Sequence, residues 1–344
     1  MKLALQLGYW TAQPPTGVAE RIQEAERLGY DMVFTAESWG NDALTPLAWN
    51  ASQTSKIRLG TSIVQISARP PTTTAAAAIT MDHLSNGRFV LGLGVSGPQV
   101  VEGWYGQPFG KPLARTREYI DVIRQVFDRQ GPVTSDGPHY PLPFHGDNSL
   151  GLGKPLKPIV HPLRAEVPIW MGAEGPKNVA LAAEIADGWL PIYFSPRVGD
   201  MYKGWLAEGF AKRTRPMPET FEVATSTQVV VTDDRQAAIN AMKGLVGFYI
   251  GGMGAKDMNF HKEVFVRMGY PAEADEIQDL FFAGEREKAI AAVPDQLVTD
   301  ISIIGTRAQI RDDLARWEEA GVTMLVVGAA DLDQLRITAE AVLS

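Results

Sequence analysis

The segment from Arg88 to Trp104 has the residue types and spacing of a ligand-binding turn. A short apolar strand, Phe89 to Leu93, runs into a glycine turn and then a helix, and glycine stands at positions 92, 94 and 97. Glycines at such a turn let a flat or phosphorylated ligand approach the bare backbone. These three glycines also spell G-x-G-x-x-G, which is typical of dinucleotide-binding folds.

The position of this turn argues against dinucleotide binding. That fingerprint belongs to the first βα unit of its domain, with an acidic residue about 20 positions further on, at the end of the next strand. Here three βα units precede the turn, and Glu118 and Asp121 fall in a predicted helix. Two interpretations remain open: a different ligand approaches the backbone, or the glycines serve only a tight turn.

A second glycine site spans Gly172-Ala-Glu-Gly-Pro-Lys-Asn178. Gly175 opens a turn, Pro176 suits the first position of a helix, and the N–H groups that follow have no partner within the helix. A helix N-terminus favours phosphate, and Lys177 adds positive charge, whereas Glu174 argues against it unless it points away. Phosphate binding and ordinary helix capping both fit this segment.

One pattern recurs along the chain: a short apolar run, then an amphipathic helix that ends near a glycine. Eight such runs with helices between them predict a (β/α)8 TIM barrel as a single domain, residues 1–344, with an open doubly wound sheet as the alternative. The predicted strands are Leu3–Gly8, Asp31–Thr35, Ile57–Ile66, Phe89–Gly94, Val167–Gly172, Gly188–Phe194, Glu222–Val231 and Thr323–Gly328.

Two segments interrupt the pattern, and we expect both to be insertions at the C-terminal face of the barrel. Residues 131–166 are rich in proline and glycine, and residues 235–300 hold several helical pieces. Long insertions of this kind usually serve as a lid or as a wall of the substrate site. A further helix, Arg307 to Ala320, is predicted to begin at a Thr306 cap.

Composition excludes several classes of function. The chain has 344 residues, a net charge of −8 and no basic cluster, so nucleic acid is not an expected partner. It has no cysteine, which excludes disulfides, thiolate metal sites and cysteine nucleophiles and agrees with a cytoplasmic location. Neither a signal peptide nor a membrane span is predicted.

Function in a barrel lies at the C-terminal ends of the strands. Those ends carry aromatic residues, glycines, hydroxyls and the carboxylates of Glu37 and Glu174, but no metal-binding motif and no serine-nucleophile motif. The five histidines are scattered along the chain. The residues therefore favour a site for a planar cofactor that carries out the chemistry itself.

The chain resembles the luciferase-like (bacterial luciferase superfamily) oxidoreductases, in particular the branch that uses the deazaflavin coenzyme F420. The resemblance covers nearly the whole chain and rests on the order and spacing of several motifs. They are Leu5-Gln-Leu-Gly-Tyr-Trp10, Phe34-Thr-Ala-Glu-Ser-Trp39, Leu59-Gly-Thr-Ser-Ile63, Asp82-His-Leu-Ser-Asn-Gly-Arg-Phe89, Leu91-Gly-Leu-Gly-Val-Ser-Gly-Pro-Gln99, Gly172-Ala-Glu-Gly-Pro176 and Ala186-Asp-Gly-Trp189.

The resemblance implies an enzyme that transfers a hydride between coenzyme F420 and a small organic substrate. It also implies a homodimer and a non-proline cis peptide at Ser62-Ile63. The residues expected at the catalytic position are Glu37, Ser38 and Trp39. The substrate side is expected to be walled by aromatic residues: Tyr9, Trp10, Trp39, Trp104 and Tyr193. The cofactor-binding residues expected from it are Glu37, Ser62, Ile63, Gln65, Gly94, Val95, Ser96, Gly97, Gly172, Ala173, Gly175, Pro176, Lys177 and Asn178.

The chain departs from the family's sugar-phosphate dehydrogenases at the catalytic position. Those enzymes carry an acid followed by a histidine, whereas this chain has Glu37 followed by Ser38, with Gln13 and Gly97 where they have acids. Sugar-phosphate oxidation is therefore not expected, and Glu37 is either an acid–base group or a hydrogen-bonding partner of the ring. Two other functions remain open: an FMN-dependent monooxygenase that uses molecular oxygen, and a flavin or deazaflavin carrier without catalysis.

Overall fold

Eight parallel strands form a closed barrel in the computed structural model, which describes residues 1–344. The eleven strands are β1 Lys2–Gln6, β2 Met32–Thr35, β3 Arg58–Thr61, β4 Val64–Gln65, β5 Phe89–Gly94, β6 Ile169–Gly172, β7 Gly188–Leu190, β8 Glu222–Ser226, β9 Val229–Val231, β10 Ile303–Gly305 and β11 Met324–Gly328. The order around the barrel is β3-β2-β1-β11-β8-β7-β6-β5, and β3 pairs with β5 to close it. The TIM-barrel prediction is confirmed.

Helices between the strands cover the outside of the barrel. They are α1 Val18–Leu28, α2 Leu44–Ala51, α3 Pro71–Leu84, α4 Pro98–Gly103, α5 Pro112–Asp128, α6 Pro176–Ile185, α7 Gly199–Phe210, α8 Arg235–Gly251, α9 Phe260–Arg267, α10 Pro271–Phe282, α11 Arg286–Ala291, α12 Asp295–Asp300, α13 Arg307–Glu319 and α14 Leu332–Leu343. Thr306 caps α13 in a capping box with Gln309, as the sequence predicts. No helix is long and apolar enough to cross a membrane.

The strands are apolar on both faces because parallel strands in a barrel are covered on both sides. All six residues of β5 are buried. Inward-facing side chains fill the barrel, among them Phe34, Trp170 and Met324, and a cluster of 54 buried residues lies between the strands and the helices. The barrel is therefore a packed core, which leaves its C-terminal rim as the place for a ligand.

Two predicted strands are interrupted. Ile57–Ile66 divides into β3 and β4 at a cis peptide between Ser62 and Ile63. Glu222–Val231 divides into β8 and β9, because the N–H of Thr227 bonds to Val326 O and its hydroxyl bonds to Ile301 O. β9 leaves the barrel and pairs with β10, a strand that the sequence pattern did not predict.

Residues 235–300 form a helical unit with a core of its own. Fifteen buried residues from this segment and its flanks, among them Ile250, Phe265 and Leu297, make a cluster separate from that of the barrel. Helices α8 and α9 bring this unit to the C-terminal rim, where its side chains line the cavity described below.

Residues 131–166 lie elsewhere, and the expectation that they cover the C-terminal face is corrected. The segment contains no helix or extended strand and runs along the outside of α3 and α5. Gln125 on α5 donates to Thr134 O at 2.9 Å, and Arg164 binds Asp82 on α3 with Nε 3.0 Å from Oδ1. None of its residues lines the cavity at the rim, because these contacts hold it against the side of the barrel.

Candidate functional site

A cavity of about 1220 Å³ opens at the C-terminal ends of the barrel strands. The ends of all eight barrel strands form its floor, and α8, α9 and the loop between them form one wall. Every residue that the sequence analysis assigned to the catalytic or cofactor-binding set lines this one cavity, from Glu37 to Asn178. The structure therefore brings the predicted residues together, although their individual roles remain predictions.

The floor of the cavity is built around Ile63. Its side chain lies over the ends of β5 and β6, where a Cβ on Gly94 would be 2.7 Å from Ile63 Cδ1 and one on Gly172 would be 3.3 Å from Cγ2. The peptide bond that precedes Ile63 is cis, as the resemblance implies. Glycine at both positions lets one apolar side chain form a smooth floor against which a flat ring can lie.

Glu37 is enclosed by donors. Its carboxylate accepts four hydrogen bonds. Two come from the terminal nitrogens of the Arg69 guanidinium, at 2.7 and 2.9 Å, and two from the backbone N–H groups of Gln65, at 3.0 Å, and Ala43, at 3.3 Å. Arg69 also binds Asp42. Glu37 is 4% exposed. Both oxygens are thus committed to the protein, an arrangement that suits a residue that holds β4 and α2 in place better than one that exchanges protons.

The N-terminus of α6 faces the same cavity. No side chain caps it, Pro176 occupies its first turn, and the N–H of Lys177 has no partner in the protein. The Lys177 ammonium is also without an ion pair. The N–H groups of Asn178 and Val179 bond to Gly175 O, so this end of the cavity offers the unpaired N–H of Lys177, the positive end of a helix dipole and one free cation, which together suit a phosphate.

Glu174, which argued against a phosphate at this turn, is paired with a residue that the sequence analysis did not single out. Its Oε1 lies 2.8 Å from Nδ1 of His261 at the start of α9. Of the five histidines, only His261 lines the cavity. Because the two residues are 87 positions apart in the sequence and meet only through the 235–300 unit, no local pattern could have revealed the pair.

Two tyrosines surround this pair. The Tyr249 ring packs edge-on against His261 with centroids 5.1 Å apart and against Tyr193 at 5.3 Å. Burial raises the pKa of Tyr193 well above its ordinary value and, with the charge of Glu174, raises that of Tyr249. Both phenols therefore stay protonated at neutral pH, where each can donate its proton in a hydrogen bond and accept one at its oxygen.

The predicted aromatic wall is only partly formed. Tyr9, Trp39 and Tyr193 line the cavity, whereas Trp10 and Trp104 do not and are exposed to solvent. Ser38 lines it too, and its carbonyl accepts a hydrogen bond from Tyr105. No group of three or more acidic or histidine side chains in the structure could hold a metal ion.

Comparison with known proteins decides the family. The family model described as luciferase-like monooxygenase matches residues 4–324. The chain belongs to this family. A protein of Mycobacterium tuberculosis named as a coenzyme F420-dependent oxidoreductase is 60% identical over 337 residues, which cover 98% of this chain and 97% of that protein.

More distant relatives are reductases and dehydrogenases, and two solved structures among them are named as F420-dependent. The 5,10-methylenetetrahydromethanopterin reductase of Archaeoglobus fulgidus is 29% identical over 90% of this chain and 88% of its own length. The structure of the coenzyme F420-dependent tetrahydromethanopterin reductase of Methanopyrus kandleri superposes with a TM-score of 0.79 at 25% identity, over 99% of this chain and 98% of the other. A secondary alcohol dehydrogenase that depends on F420, at 18% identity, shares the fold with a TM-score of 0.74.

The protein is therefore an oxidoreductase that transfers a hydride between coenzyme F420 and a small organic substrate. The cavity fits this coenzyme on its own evidence. It offers an apolar floor for a ring, and a free cation and a helix N-terminus for a phosphate. It also contains three buried side-chain amide oxygens that accept no hydrogen bond from the protein, those of Gln6, Gln65 and Asn178. Unpaired buried acceptors of this kind are rare in folded proteins unless a ligand or water supplies the donor.

Proposed function

We propose that the deazaflavin ring lies on Ile63, with Gln6 and Gln65 as partners for its polar edge and with Gly94 to Gly97 beside it. Residues 175–178 then hold the phosphate. This assignment is supported by the flat apolar floor at Ile63, by the unpaired amide oxygens and by the free Lys177. When bound, the coenzyme supplies or accepts the hydride, and the residues of the chain position it and exclude water.

We assign the accompanying proton to His261 and Glu174. When a neutral C=O or C=N bond of a substrate is reduced, the carbon gains a hydride and the oxygen or nitrogen gains a proton. His261 is the only histidine that lines the cavity, and the Glu174 carboxylate oxygen 2.8 Å from its Nδ1 can stabilise a positive charge on the ring. The 2.8 Å contact carries this proposal, since Glu37 has no free oxygen for the same work.

The test compares His261→Asn with His83→Asn. His83 lies at the end of α3, outside the cavity, and its Nε2 contacts His161 O. We expect His261→Asn to lower kcat about 100-fold or more, to remove the pH dependence of kcat near neutrality and to leave coenzyme binding unchanged, while His83→Asn does none of these. A His261→Asn enzyme with an unchanged kcat and pH profile would contradict the assignment.

The implied homodimer is a further proposal, supported by the outer surface of residues 131–166. Seven large apolar side chains there are at least half exposed, which is more than an isolated soluble chain usually shows in one place. They are Phe144, Leu150, Leu152, Leu156, Ile159, Val160 and Leu163. If two copies meet here, Ile159→Lys gives a monomer in sedimentation velocity and Ile337→Lys, on α14, does not. A cytoplasmic location stays a prediction.

A further inference from the structure

Two of the three Lys and Arg side chains that line the cavity have no acidic partner. Arg267 lies 3.4 Å from the carboxylate of Glu263. Arg21 and Lys177 line the cavity as well, and neither forms an ion pair. The lining therefore carries two positive charges that no acid of the protein neutralises, and such charges in a cleft attract anionic ligands.

The two unpaired cations lie on opposite sides of the barrel. Arg21 is on α1, which follows β1, and Lys177 is on α6, which follows β6. In the closed order β3-β2-β1-β11-β8-β7-β6-β5, β1 and β6 are four strands apart in either direction. A phosphate at Lys177 therefore leaves Arg21 available for a different anionic group.

Backbone carbonyls hold the Arg21 guanidinium at the rim. Its Nε donates to Gly17 O and its Nη1 donates to Ala329 O, both at 3.3 Å. A guanidinium has five N–H donors in a planar fork, so three of them remain without an acceptor. Such a fork matches the oxygens of a carboxylate or a phosphate, which it can bind through two parallel hydrogen bonds.

The surroundings of Arg21 supply further donors and open space. Gly8 and Ala329 line the cavity, and their backbone N–H groups donate to no acceptor in the protein. A Cβ placed on Gly8 or on Gly328 would meet no atom within 4 Å, so the space beside both residues is open. Helix α1 begins at this rim without a side-chain cap, and the positive end of its dipole also favours a negative group.

We infer that the cavity has a second anion site at Arg21, and that the substrate carries a carboxylate or a phosphate group that binds there. The inference rests on the proposed function for the position of the coenzyme phosphate at residues 175–178. The pair of His261 and Glu174 lies on the β6 side, opposite Arg21. A substrate that reaches both therefore has its anionic group remote from the bond that is reduced.

The experiment measures binding of three probes to the F420-loaded enzyme by calorimetry: octanoate, octyl phosphate and octan-1-ol. The probes share an eight-carbon chain, so differences in affinity report the polar group. Hydrogen bonds to a charged partner strengthen binding by about tenfold or more. We expect octanoate or octyl phosphate to bind at least tenfold more tightly than octan-1-ol, and the tighter of the two identifies the anionic group. If neither anion binds more tightly than octan-1-ol, the inference is overturned.

Matched variants test whether Arg21 is responsible. Arg311 also has no acidic partner, but it is exposed on α13 and does not line the cavity. Arg21→Met is expected to abolish the preference for the anion and to leave octan-1-ol binding unchanged, and Arg21→Lys to retain part of the preference. Arg311→Met removes the same charge and is expected to retain all of it. Equal losses in Arg21→Met and Arg311→Met would contradict the inference.

Titration of the coenzyme separates this inference from the proposed function. We expect Arg21→Met to bind coenzyme F420 with the affinity of the parent protein. A tenfold loss of coenzyme affinity in Arg21→Met would mean that the coenzyme itself uses this arginine, and would overturn the inference. If Lys177→Met leaves coenzyme affinity unchanged while Arg21→Met abolishes the anion preference, the phosphate assignment fails and the Arg21 site stands.

Discussion

Replacement of Glu37 by glutamine separates a positioning role from a catalytic one. In the structure, the carboxylate is buried and accepts four hydrogen bonds, two of them from Arg69. Glutamine keeps the size and one oxygen but turns an NH₂ group towards a guanidinium that also only donates. The variant therefore loses at least one charge-assisted bond and leaves Arg69 with Asp42 as its remaining acid.

The expected loss of stability follows from that geometry. Breaking a buried ion pair by removing one partner costs about 3–5 kcal/mol when the other charge is left alone. Arg69 keeps Asp42 and is 22% exposed, so the cost falls at or below the lower end of that range, about 2–3 kcal/mol. For a chain of 344 residues, whose entropy of unfolding is about 0.7 kcal/mol/K, that lowers Tm by roughly 3–4 °C.

The assay combines thermal unfolding with single-turnover hydride transfer at a temperature where the variant is folded. We expect the lower Tm together with a rate within about tenfold of the parent enzyme. An acid–base residue would instead show a loss of about 10²–10⁴ in rate. Arg69→Met supplies the second arm of a double-mutant cycle, in which the two changes should be far from additive. A rate loss of 100-fold with unchanged Tm would refute the positioning role.

Three further results are expected. Lys177→Met should weaken coenzyme F420 about tenfold or more in a fluorescence titration but leave the phosphate-free deazaflavin chromophore unaffected, and equal losses would contradict the phosphate site. Gly92→Ala should prevent soluble folding, since its Cβ would lie 1.7 Å from Thr61 O, whereas Gly103→Ala, in open space, should fold normally in circular dichroism. The pKa of all nine tyrosines is raised, chiefly by burial, so the unfolded chain loses these protons first as the pH rises past about 10. Stability should therefore be insensitive to the tyrosines below pH ~10 and fall above it, as measured by denaturant unfolding at each pH, and a stability that stays unchanged between pH ~10 and ~12 would contradict this.

The barrel could be predicted because its signal is local and repeated. Each apolar run followed by an amphipathic helix marks one βα unit, and β5 was placed residue for residue. The breaks within two predicted strands could not be predicted, because they depend on partners distant in the chain, such as Val326 and Ile301 for Thr227. A continuous apolar run does not indicate which distant residue will form a hydrogen bond with its backbone.

The site was predictable where it lies on strand ends and unpredictable where distant segments meet. Glu37, Ile63 and the glycine turns follow strands directly, so their positions come from the barrel itself. The role of Glu37 depends on its contact with Arg69, and the role of His261 depends on its contact with Glu174. The spacing of these residues in the sequence does not predict either contact. The same limit applies to residues 131–166, whose composition indicates a loop but not the side of the barrel on which it packs.

The central claim is that this cavity is built for the deazaflavin coenzyme, and a parallel titration of the protein with coenzyme F420 and with FMN tests it most directly. Binding is followed in both arms by the fluorescence of the cofactor and by the quenching of tryptophan fluorescence, since Trp39 lines the cavity. The account predicts tight, saturable binding of coenzyme F420 and much weaker binding of FMN. Preference for FMN, or no binding of either molecule, would contradict it.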